Sequence, residues 1–322
     1  MRPTRRLLAP GSSLTLAGLV DTAFLVVACG SWLGLLGRWH WALDLFSHFR
    51  WQYLILCALG VTWCLWRRRS RRVLGICVAT LFLNGIEMAR VTGDAAFSVA
   101  GGRTLRVISL NVYTGNPDKQ AVFDYLRTSE ADVIFLMEVD EAWVRALEGL
   151  KTTHPHALLH PRADNFGVAV FSRDPLTDLR LLPGDESQMP SITARVTHAG
   201  RELVLIGTHP LPPIGGQLSA RRNAELQSLA GYVAAQELPV LLVGDLNSTP
   251  WSHGMTLVTR GNNLAYRSAD PAWTPTWKVG TLFAIPIDHA LCTPPLMIVR
   301  REIGPGVGSD HRPQEIDIAW EP

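Results

Sequence analysis

The chain has 322 residues, 47% of them hydrophobic, and a formal net charge of +2. This length and apolar content exclude a single average soluble domain. Residues 1–102 contain 11 arginines and four acidic residues, a net of +7, whereas residues 103–322 contain 19 basic and 24 acidic residues, a net of −5. This asymmetry predicts two domains with a boundary near residue 102. Among the five cysteines only Cys292 lies in the second part, which excludes a disulfide within it.

Three apolar segments occupy the first part, at residues 14–36, 51–66 and 73–88. A helix that spans a bilayer needs about 20 mainly apolar residues, with about 17 as a lower limit. The first segment meets this length. The other two are short, but flanking Trp, Tyr and Arg side chains at the membrane interfaces extend them. We therefore predict a membrane anchor over residues 1–102 with three transmembrane helices.

Arginine placement predicts the orientation of the anchor. Residues 67–72 contain five arginines, a block that should remain in the cytoplasm. Arg2, Arg5 and Arg6 place the amino terminus on the same side, because the loop at residues 37–50 has only two arginines. The path is then in, out, in and out, which predicts a multi-pass protein of the cell membrane whose second domain is extracytoplasmic, either periplasmic or extracellular.

Two alternatives stay open for this first part. A basic start followed by an apolar stretch is also typical of a signal peptide, and the residues before Cys29 resemble a lipoprotein processing site. Cleavage there would still leave the other two segments to export the second domain. The arginine block could instead bind nucleic acid, but its position between two apolar segments favours the topological role.

From residue 103 onward, the pattern predicts a soluble α/β domain. Apolar runs bounded by turn residues predict strands at residues 105–110, 132–137, 167–171, 202–208, 239–243, 287–292 and 316–320. Helices are predicted at residues 118–128 and 219–235.

Polar residues follow these strands repeatedly: Asn111, Glu138, His209, Asp245 with Asn247, Asp288, and Asp310 with His311. The repetition predicts that one sheet edge gathers them, as ligand sites do in α/β folds. Asp245 and Asn247 should point the same way if the extended backbone continues, because strand side chains alternate. Such an oxygen-rich set suits a hard divalent cation such as Mg²⁺ better than zinc. The pattern therefore indicates metal-assisted phosphoryl chemistry.

Six short motifs in this order resemble those of the endonuclease/exonuclease/phosphatase superfamily: Ser109-Leu110-Asn111, Met137-Glu138-Val139, Thr208-His209-Pro210, Gly244-Asp245-Leu246-Asn247, Ile287-Asp288-His289 and Ser309-Asp310-His311. With the anchor, the chain is similar to the membrane-anchored bacterial branch of that superfamily. The resemblance covers residues 103–322. It implies an α/β fold, a four-layer αββα sandwich (DNase I-like) preceded by the three transmembrane helices, and one or two Mg²⁺ or Mn²⁺ ions.

The resemblance also implies roles for the matching residues. The metal ligands would be Glu138, Asn111 and Asp310. Asp245 would orient or deprotonate the attacking water, and Asn247 would donate to a phosphoryl oxygen. His311, supported by Asp288, would act as acid, base or positive clamp, and His209 would contact the opposite phosphoryl oxygen.

Ordinary structural explanations compete with some of these roles. Asn111 could be a turn residue, since turns favour Asn. Glu138 could be one of three solvated acids, for which Asp140 and Glu141 serve as controls. Arg221 and Arg222 could bind phosphate or form a solvated helix start. No role is assigned to His289.

The sequence restricts the substrate only in part. Phosphate neutralisation dominates nucleic-acid affinity, so the net charge of −5 disfavours nucleic acid as a partner without excluding a local basic groove. Tethering favours the lipid bilayer as a partner, with a substrate at the outer membrane surface: a lipid phosphate, a lipid pyrophosphate or a phosphodiester headgroup. The leading hypothesis is a metal-dependent phosphatase or phosphodiesterase. The alternatives are an exported Mg²⁺-dependent endonuclease or exonuclease, and a catalytically silent binding module at the cell surface.

Overall fold

The computed structural model describes residues 15–91, 103–182, 189–268 and 270–321. The helices are α1 (Leu16–Leu33), α2 (Trp41–Ser47), α3 (Arg50–Trp66), α4 (Arg71–Ala89), α5 (Lys119–Thr128), α6 (Glu141–Ala146), α7 (Gly216–Ala234) and α8 (His253–Val258). The strands are β1 (Leu105–Asn111), β2 (Val133–Met137), β3 (His156–His160), β4 (Val168–Ser172), β5 (Thr177–Leu181), β6 (Ser191–His198), β7 (Arg201–Thr208), β8 (Val240–Asp245), β9 (Asp288–Cys292), β10 (Leu296–Ile303) and β11 (Gln314–Trp320).

Helices α1, α3 and α4 pack against one another as a bundle. Within the described ranges, two segments are long and apolar enough to span a membrane, Leu16–Leu36 and Arg71–Ala89. Helix α3 has 17 residues and is shorter than the usual span of about 20 residues. Length and composition therefore support two of the three predicted spans. The amino-terminal arginines used for the predicted orientation lie outside the described residues.

The arginine-rich turn forms one end of the bundle, and the second domain contacts the opposite end. Residues 67–70 connect the end of α3 to the start of α4. At the other end of α3, Trp51 Nε1 donates to the Trp273 carbonyl at 3.0 Å, and Gln52 Nε2 donates to the carbonyls of Leu282 and Ala284 at 3.1 and 2.9 Å. At 1.5 Å per residue, the two ends of α3 are about 25 Å apart.

Two mixed sheets form the second domain. The first has six strands in the order β10-β11-β1-β2-β4-β3, and the second has five in the order β5-β6-β7-β8-β9. The pairs β1 with β2 and β7 with β8 are parallel, and the other pairs are antiparallel. Consequently β1 and β2 end at one edge of the first sheet, and β7 and β8 end at one edge of the second.

Three hydrophobic clusters divide the domain into four layers. One lies between the sheets and joins residues such as Val107 and Phe135 to Leu205 and Val243. A second packs α5 and α6 on the outer face of the first sheet, and a third packs α7 and α8 on the outer face of the second. The two sheets pack closely at Gly207, where a Cβ atom would lie 2.1 Å from the Phe135 ring. This layering confirms the predicted α/β fold with two central sheets.

Each predicted strand and helix of this domain exists, with ends that differ by a few residues. Strands β3, β5, β6 and β10 and helices α2, α6 and α8 carried no prediction. Neither β3 nor β5 contains a fully buried residue, so their apolar signal is weak. The short helix α2 lies in the loop between the first two apolar segments.

Candidate active site

The strand ends of the two sheets meet at one site. In the second sheet, Asp245 at the end of β8 lies opposite Asp288 at the start of antiparallel β9. In the first sheet, Asn111 at the end of β1 lies opposite Met137, the residue before Glu138. Asn111 Nδ2 donates to Asp245 Oδ2 at 3.2 Å, a hydrogen bond that connects the two sheets. The site is therefore assembled from the edges of both sheets.

Asp245 is the centre of this arrangement. Its Oδ1 accepts the Asn247 backbone N–H at 2.9 Å, and its Oδ2 lies 3.5 Å from His209 Nε2 and 3.6 Å from His311 Nε2. Burial alone would raise the pKa of the Asp245 carboxyl, but the charge of His311 and the neighbouring His209 lower that pKa well below its usual range. Asp245 is therefore ionised near neutral pH. It is better suited to orient a water molecule than to hold its proton.

A close approach of the backbone fixes Asp245. Gly244 has φ of +144°, and a Cβ there would lie 2.0 Å from the Thr208 carbonyl oxygen on β7. Only glycine can follow Val243 in this conformation. The sequence therefore needs glycine at this position for the carboxylate to reach the sheet edge.

His311 and Asp288 form a buried pair, with Nδ1 and Oδ2 at 2.9 Å. Burial opposes protonation of His311, but the charges of Asp288 and Asp245 outweigh this effect and raise its pKa to about 10. The ring is therefore cationic near neutral pH. Such a ring can donate a hydrogen bond or a proton.

Glu138 is held at the opposite side of Asn111. Asn111 Nδ2 donates to Glu138 Oε1 at 2.9 Å, and the Thr114 backbone N–H donates to Oε2 at 3.1 Å. The φ of Glu138 is 62°, a conformation that few residues other than glycine adopt and that often marks a functional position. Asn111 Oδ1 accepts the Tyr113 N–H at 3.0 Å, so the nitrogen of Asn111 faces the carboxylates.

The turn that carries Asp310 is attached to the end of β1. Ser309 Oγ donates to the Asn111 carbonyl at 2.7 Å and accepts the His311 N–H at 3.0 Å. Asp310 Oδ2 accepts from Trp277 Nε1 at 2.9 Å. These bonds fix the short turn that carries Asp310 and His311.

Asn247 reaches the site by a route that differs from the predicted one. Its φ is 47°, so the extended backbone on which the expectation depended does not continue past Asp245. The side chain still faces the site, where Nδ2 donates to the Pro210 carbonyl at 2.9 Å. The turn, rather than strand alternation, brings the amide beside Asp245.

All eight predicted site residues belong to this one cluster. Six of them line a single cavity of about 540 Å³: Glu138, His209, Asp245, Asn247, Asp310 and His311. Asn111 and Asp288 lie behind it and bond to Asp245 and His311. This volume is typical of small-molecule sites.

The cavity fits a divalent cation. Three carboxylates line it, and among the described residues no Lys or Arg side chain does. Asp245, Asp288 and His311 also bring one ligand atom each within 4.8 Å of one another. The hydrogen bond between His311 and Asp288 already accounts for that proximity. In addition, a protonated imidazole has no free lone pair with which to bind a metal. The half-buried Glu138 carboxylate, with Asp310 on the same cavity, is the better position for a hard cation.

Sequence reasoning missed the contribution of the first domain to this cavity. Leu45, His48 and Phe49, in and just after α2, line it beside the polar cluster. The sequence left two roles open for Arg222, a phosphate contact or a solvated helix start, but its side chain is buried. It donates to Asp44 Oδ2 at 3.2 Å and to the Asn247 carbonyl at 3.2 Å. The acidic Asp44 in an otherwise apolar segment was the available signal.

His289 has a structural role. Its Nε2 lies 2.6 Å from the Ser248 carbonyl, which can only accept, and its Nδ1 lies 2.9 Å from the Tyr266 hydroxyl. Burial lowers the pKa of His289 to about 3, so the ring is neutral, donates to Ser248 and accepts from Tyr266. It therefore fixes the backbone that follows Asp245 and Asn247.

The neutral His289 makes stability depend on pH. In the unfolded chain His289 is protonated below about pH 6.5, whereas in the folded protein it is protonated only below about pH 3. Stability is therefore lost as the pH falls through this window, by up to about 1.4 kcal/mol per pH unit. We expect His289→Gln, which keeps one donor and one acceptor, to reduce the fall in unfolding temperature between about pH 6.5 and 4. An identical fall in wild type and variant would contradict this.

The family model described as "Endonuclease/Exonuclease/phosphatase family" matches residues 108–311. The comparison with curated protein sequences found no match.

Solved structures give similar domains. An endonuclease/exonuclease/phosphatase from Beutenbergia cavernae DSM 12333 is 21% identical with a TM-score of 0.56, over 68% of this chain and 72% of that one. D. rerio TDP2, complexed with single strand DNA product, is 17% identical with a TM-score of 0.57, over 67% and 99%. Sphingomyelinase C from Streptomyces griseocarneus is 16% identical with a TM-score of 0.51, over 67% and 99%. At these identities the likeness concerns the fold.

Proposed function

This chain belongs to the endonuclease/exonuclease/phosphatase family of hydrolases, and on that premise we propose that it hydrolyses a lipid-linked phosphate or pyrophosphate at the outer membrane surface. One observation carries the proposal. The cavity that holds the catalytic cluster is otherwise lined mainly by apolar side chains, among them Ile285, Ile287, Pro212 and, from the first domain, Leu45 and Phe49. A phosphoryl site that continues into an apolar wall suits an amphiphilic phosphoester.

We infer that α3 spans the membrane together with α1 and α4. Its surface carries exposed large apolar residues, as the other two helices do: Ile55, Leu56, Leu59, Leu65 and Trp66. Such surfaces are normally covered by lipid or by a partner. The arginine-rich turn at the far end of the bundle favours a cytoplasmic position for that end and an extracytoplasmic position for the hydrolase domain.

Reporter fusions test this orientation in the full chain. A fusion after residue 70 should report the cytoplasm, because the arginine block is costly to translocate. A fusion after residue 100 should report the opposite side. The same side for both fusions would overturn the extracytoplasmic assignment.

A loop beside the cavity supports a substrate at the lipid boundary. Leu282 is 85% exposed and Phe283 is 61% exposed. Gln52, in the first turn of α3, bonds to the carbonyls of Leu282 and Ala284. This contact holds the two apolar side chains near the outer end of a proposed membrane helix, where they would contact the headgroup region of the bilayer.

The residues of the cluster have separate parts in the hydrolysis. Glu138, with Asp310, would hold Mg²⁺ or Mn²⁺, which when bound neutralises charge on the phosphoryl oxygens. Asn111, predicted as a third ligand, turns its amide nitrogen to Glu138 and Asp245 and would position these carboxylates instead. Asp245 orients the attacking water. His311, which is cationic, and Asn247 donate hydrogen bonds to the phosphoryl oxygens as negative charge develops on them, and His209 contacts the opposite oxygen. Asp288 keeps His311 protonated and correctly turned.

The alternatives receive less support. D. rerio TDP2 was solved with a DNA product, but the cavity of this chain lacks the Lys and Arg side chains that bind a phosphate backbone, among the residues that the structure describes. A catalytically silent module would not need eight polar residues in one bonded cluster.

A hydrolysis panel tests the proposal. The full chain, reconstituted in vesicles with Mg²⁺ or Mn²⁺, is given lipid pyrophosphate, sphingomyelin, inositol lipids and DNA, with Glu138→Ala as the blank. Release of phosphate or headgroup from a lipid is the expected result. Hydrolysis of DNA alone would establish a nuclease. No hydrolysis together with no Mn²⁺ uptake would overturn the proposal and favour the catalytically silent module.

A further inference from the structure

The loop between the first two apolar helices is fixed to the active site by a buried ion pair. Asp44 Oδ2 accepts from Arg222 Nη2 at 3.2 Å, and Asp44 Oδ1 accepts the His253 backbone N–H at 2.8 Å. Arg222 in turn donates to the Asn247 carbonyl at 3.2 Å. Both residues are almost fully buried, and removing one partner of such a pair is strongly destabilising because it leaves the other charge buried and unpaired. Helix α2 therefore has a defined position relative to Asp245 and Asn247.

His48 follows Asp44 by one helical turn and so lies on the same side of the helix. It is 5% exposed and lines the cavity with Glu138, Asp245 and His311. Neither of its ring nitrogens has a hydrogen-bond partner among the described residues. Leaving a buried polar group without a partner is costly, so such groups are usually hydrogen-bonded to protein, water or a ligand.

The chemistry around His48 indicates what that partner is. Burial lowers the pKa of His48 to about 4, against the charge of Asp44, so the ring is neutral near pH 7. A neutral imidazole offers one N–H donor and one acceptor. Its neighbours along the cavity wall, Leu45 and Phe49, are apolar and offer nothing to bond. A ligand oxygen would satisfy the His48 N–H donor if it lay where the polar cluster of the cavity meets its apolar wall.

We propose that His48 is a substrate-binding residue contributed by the membrane anchor: it donates a hydrogen bond to an oxygen that lies between the scissile phosphorus and the apolar chain of the substrate. This rests on the proposed function and deepens it. In a lipid pyrophosphate that oxygen belongs to the phosphate retained on the chain, and in a phospholipid it belongs to the glycerol ester. Leu45 and Phe49 contact the chain on either side. The complete active site therefore requires both domains.

The test compares two kinds of substrate in the reconstituted full chain. His48→Leu removes the donor and keeps an apolar volume, and His48→Gln keeps a donor. We expect His48→Leu to raise KM for the lipid substrate about tenfold with kcat within about twofold, and His48→Gln to recover part of the loss. The ratio of KM for the lipid to KM for bis(p-nitrophenyl) phosphate, which has no chain, should rise at least about fivefold. His156→Leu, a half-buried histidine on β3 outside the cavity, is the matched control.

The outcomes separate the inference from the function. A wild type that hydrolyses lipid while both His48 variants keep its KM would overturn the inference and leave the function standing. Parallel changes in KM for both substrates would also overturn it, because they would indicate a purely structural role. A wild type without lipid hydrolysis would overturn both. If the unfolding temperature shows that His48→Leu fails to fold, His48→Ala, which also removes the donor, replaces it, and a wild-type KM for the lipid in that variant would overturn the inference. Lipid pyrophosphate and phospholipid arms identify which oxygen is bound.

Discussion

Asp245→Asn is expected to lower kcat by about 10²–10⁴-fold, the range typical for loss of a group that positions or takes a proton. The buried carboxylate lies within 3.6 Å of both His209 and His311 and is ionised because of them. An amide at this position presents a donor to these rings, so it can neither orient the water correctly nor pair with His311. Initial rates on the best substrate of the hydrolysis panel measure the effect.

The fold should survive this change. Asn has the same shape as Asp and can still accept the Asn247 N–H, and His311 keeps its bond to Asp288. Asp174→Asn, at an exposed position away from the cavity, is the matched control and should keep wild-type rates. Circular dichroism of both variants confirms folding. Activity of Asp245→Asn within tenfold of wild type would remove Asp245 from the reaction.

Glu138→Gln is expected to weaken Mn²⁺ binding by at least about tenfold and to lower kcat by about 10²–10³-fold, since a bound cation contributes several kcal/mol of charge stabilisation. The carboxylate is half-buried, held by Asn111 and Thr114, and lies in a cavity with two other carboxylates. Removing its charge removes the principal proposed ligand. Calorimetric titration with Mn²⁺ measures binding, and the same protein is assayed for hydrolysis.

Glu141→Gln provides the control from the same short acidic run. Glu141 is exposed in the first turn of α6, and Asp140 caps that helix by accepting the Trp143 N–H at 2.8 Å. Both neighbours therefore have helix roles, and Glu141→Gln should bind Mn²⁺ as wild type does. Unchanged binding by Glu138→Gln would place the cation elsewhere and would contradict the assignment of Glu138 as its principal ligand.

Five of the eight site residues could be predicted because they end or closely follow an apolar strand that is visible in the sequence: Asn111, Glu138, His209, Asp245 and Asn247. The expectation that the other three also end strands was wrong, because Asp288 starts β9, and Asp310 and His311 lie in the turn before β11. Their motifs, rather than a preceding strand, identified these three. A strand that ends in a polar residue places it at a sheet edge whatever the rest of the chain does. The local sequence does not show where the backbone departs from a regular strand, as it does at Asn247. It also left His289 without a role, because its two partners, Ser248 and Tyr266, come from separate loops.

The sequence by itself determined the α/β class, the order of the strands that carry the site, the eight residues of the cluster and the apolar character of the first domain. Each depends on burial patterns over a few neighbouring residues, which a linear sequence displays directly. Only the tertiary structure decided that Asp44 pairs with Arg222, 178 positions away, and that His48, Leu45 and Phe49 complete the cavity. Contacts between such distant segments depend on how the sheets and helices pack. The pattern of residues in one segment shows which face is buried, but it does not show which distant segment will cover that face.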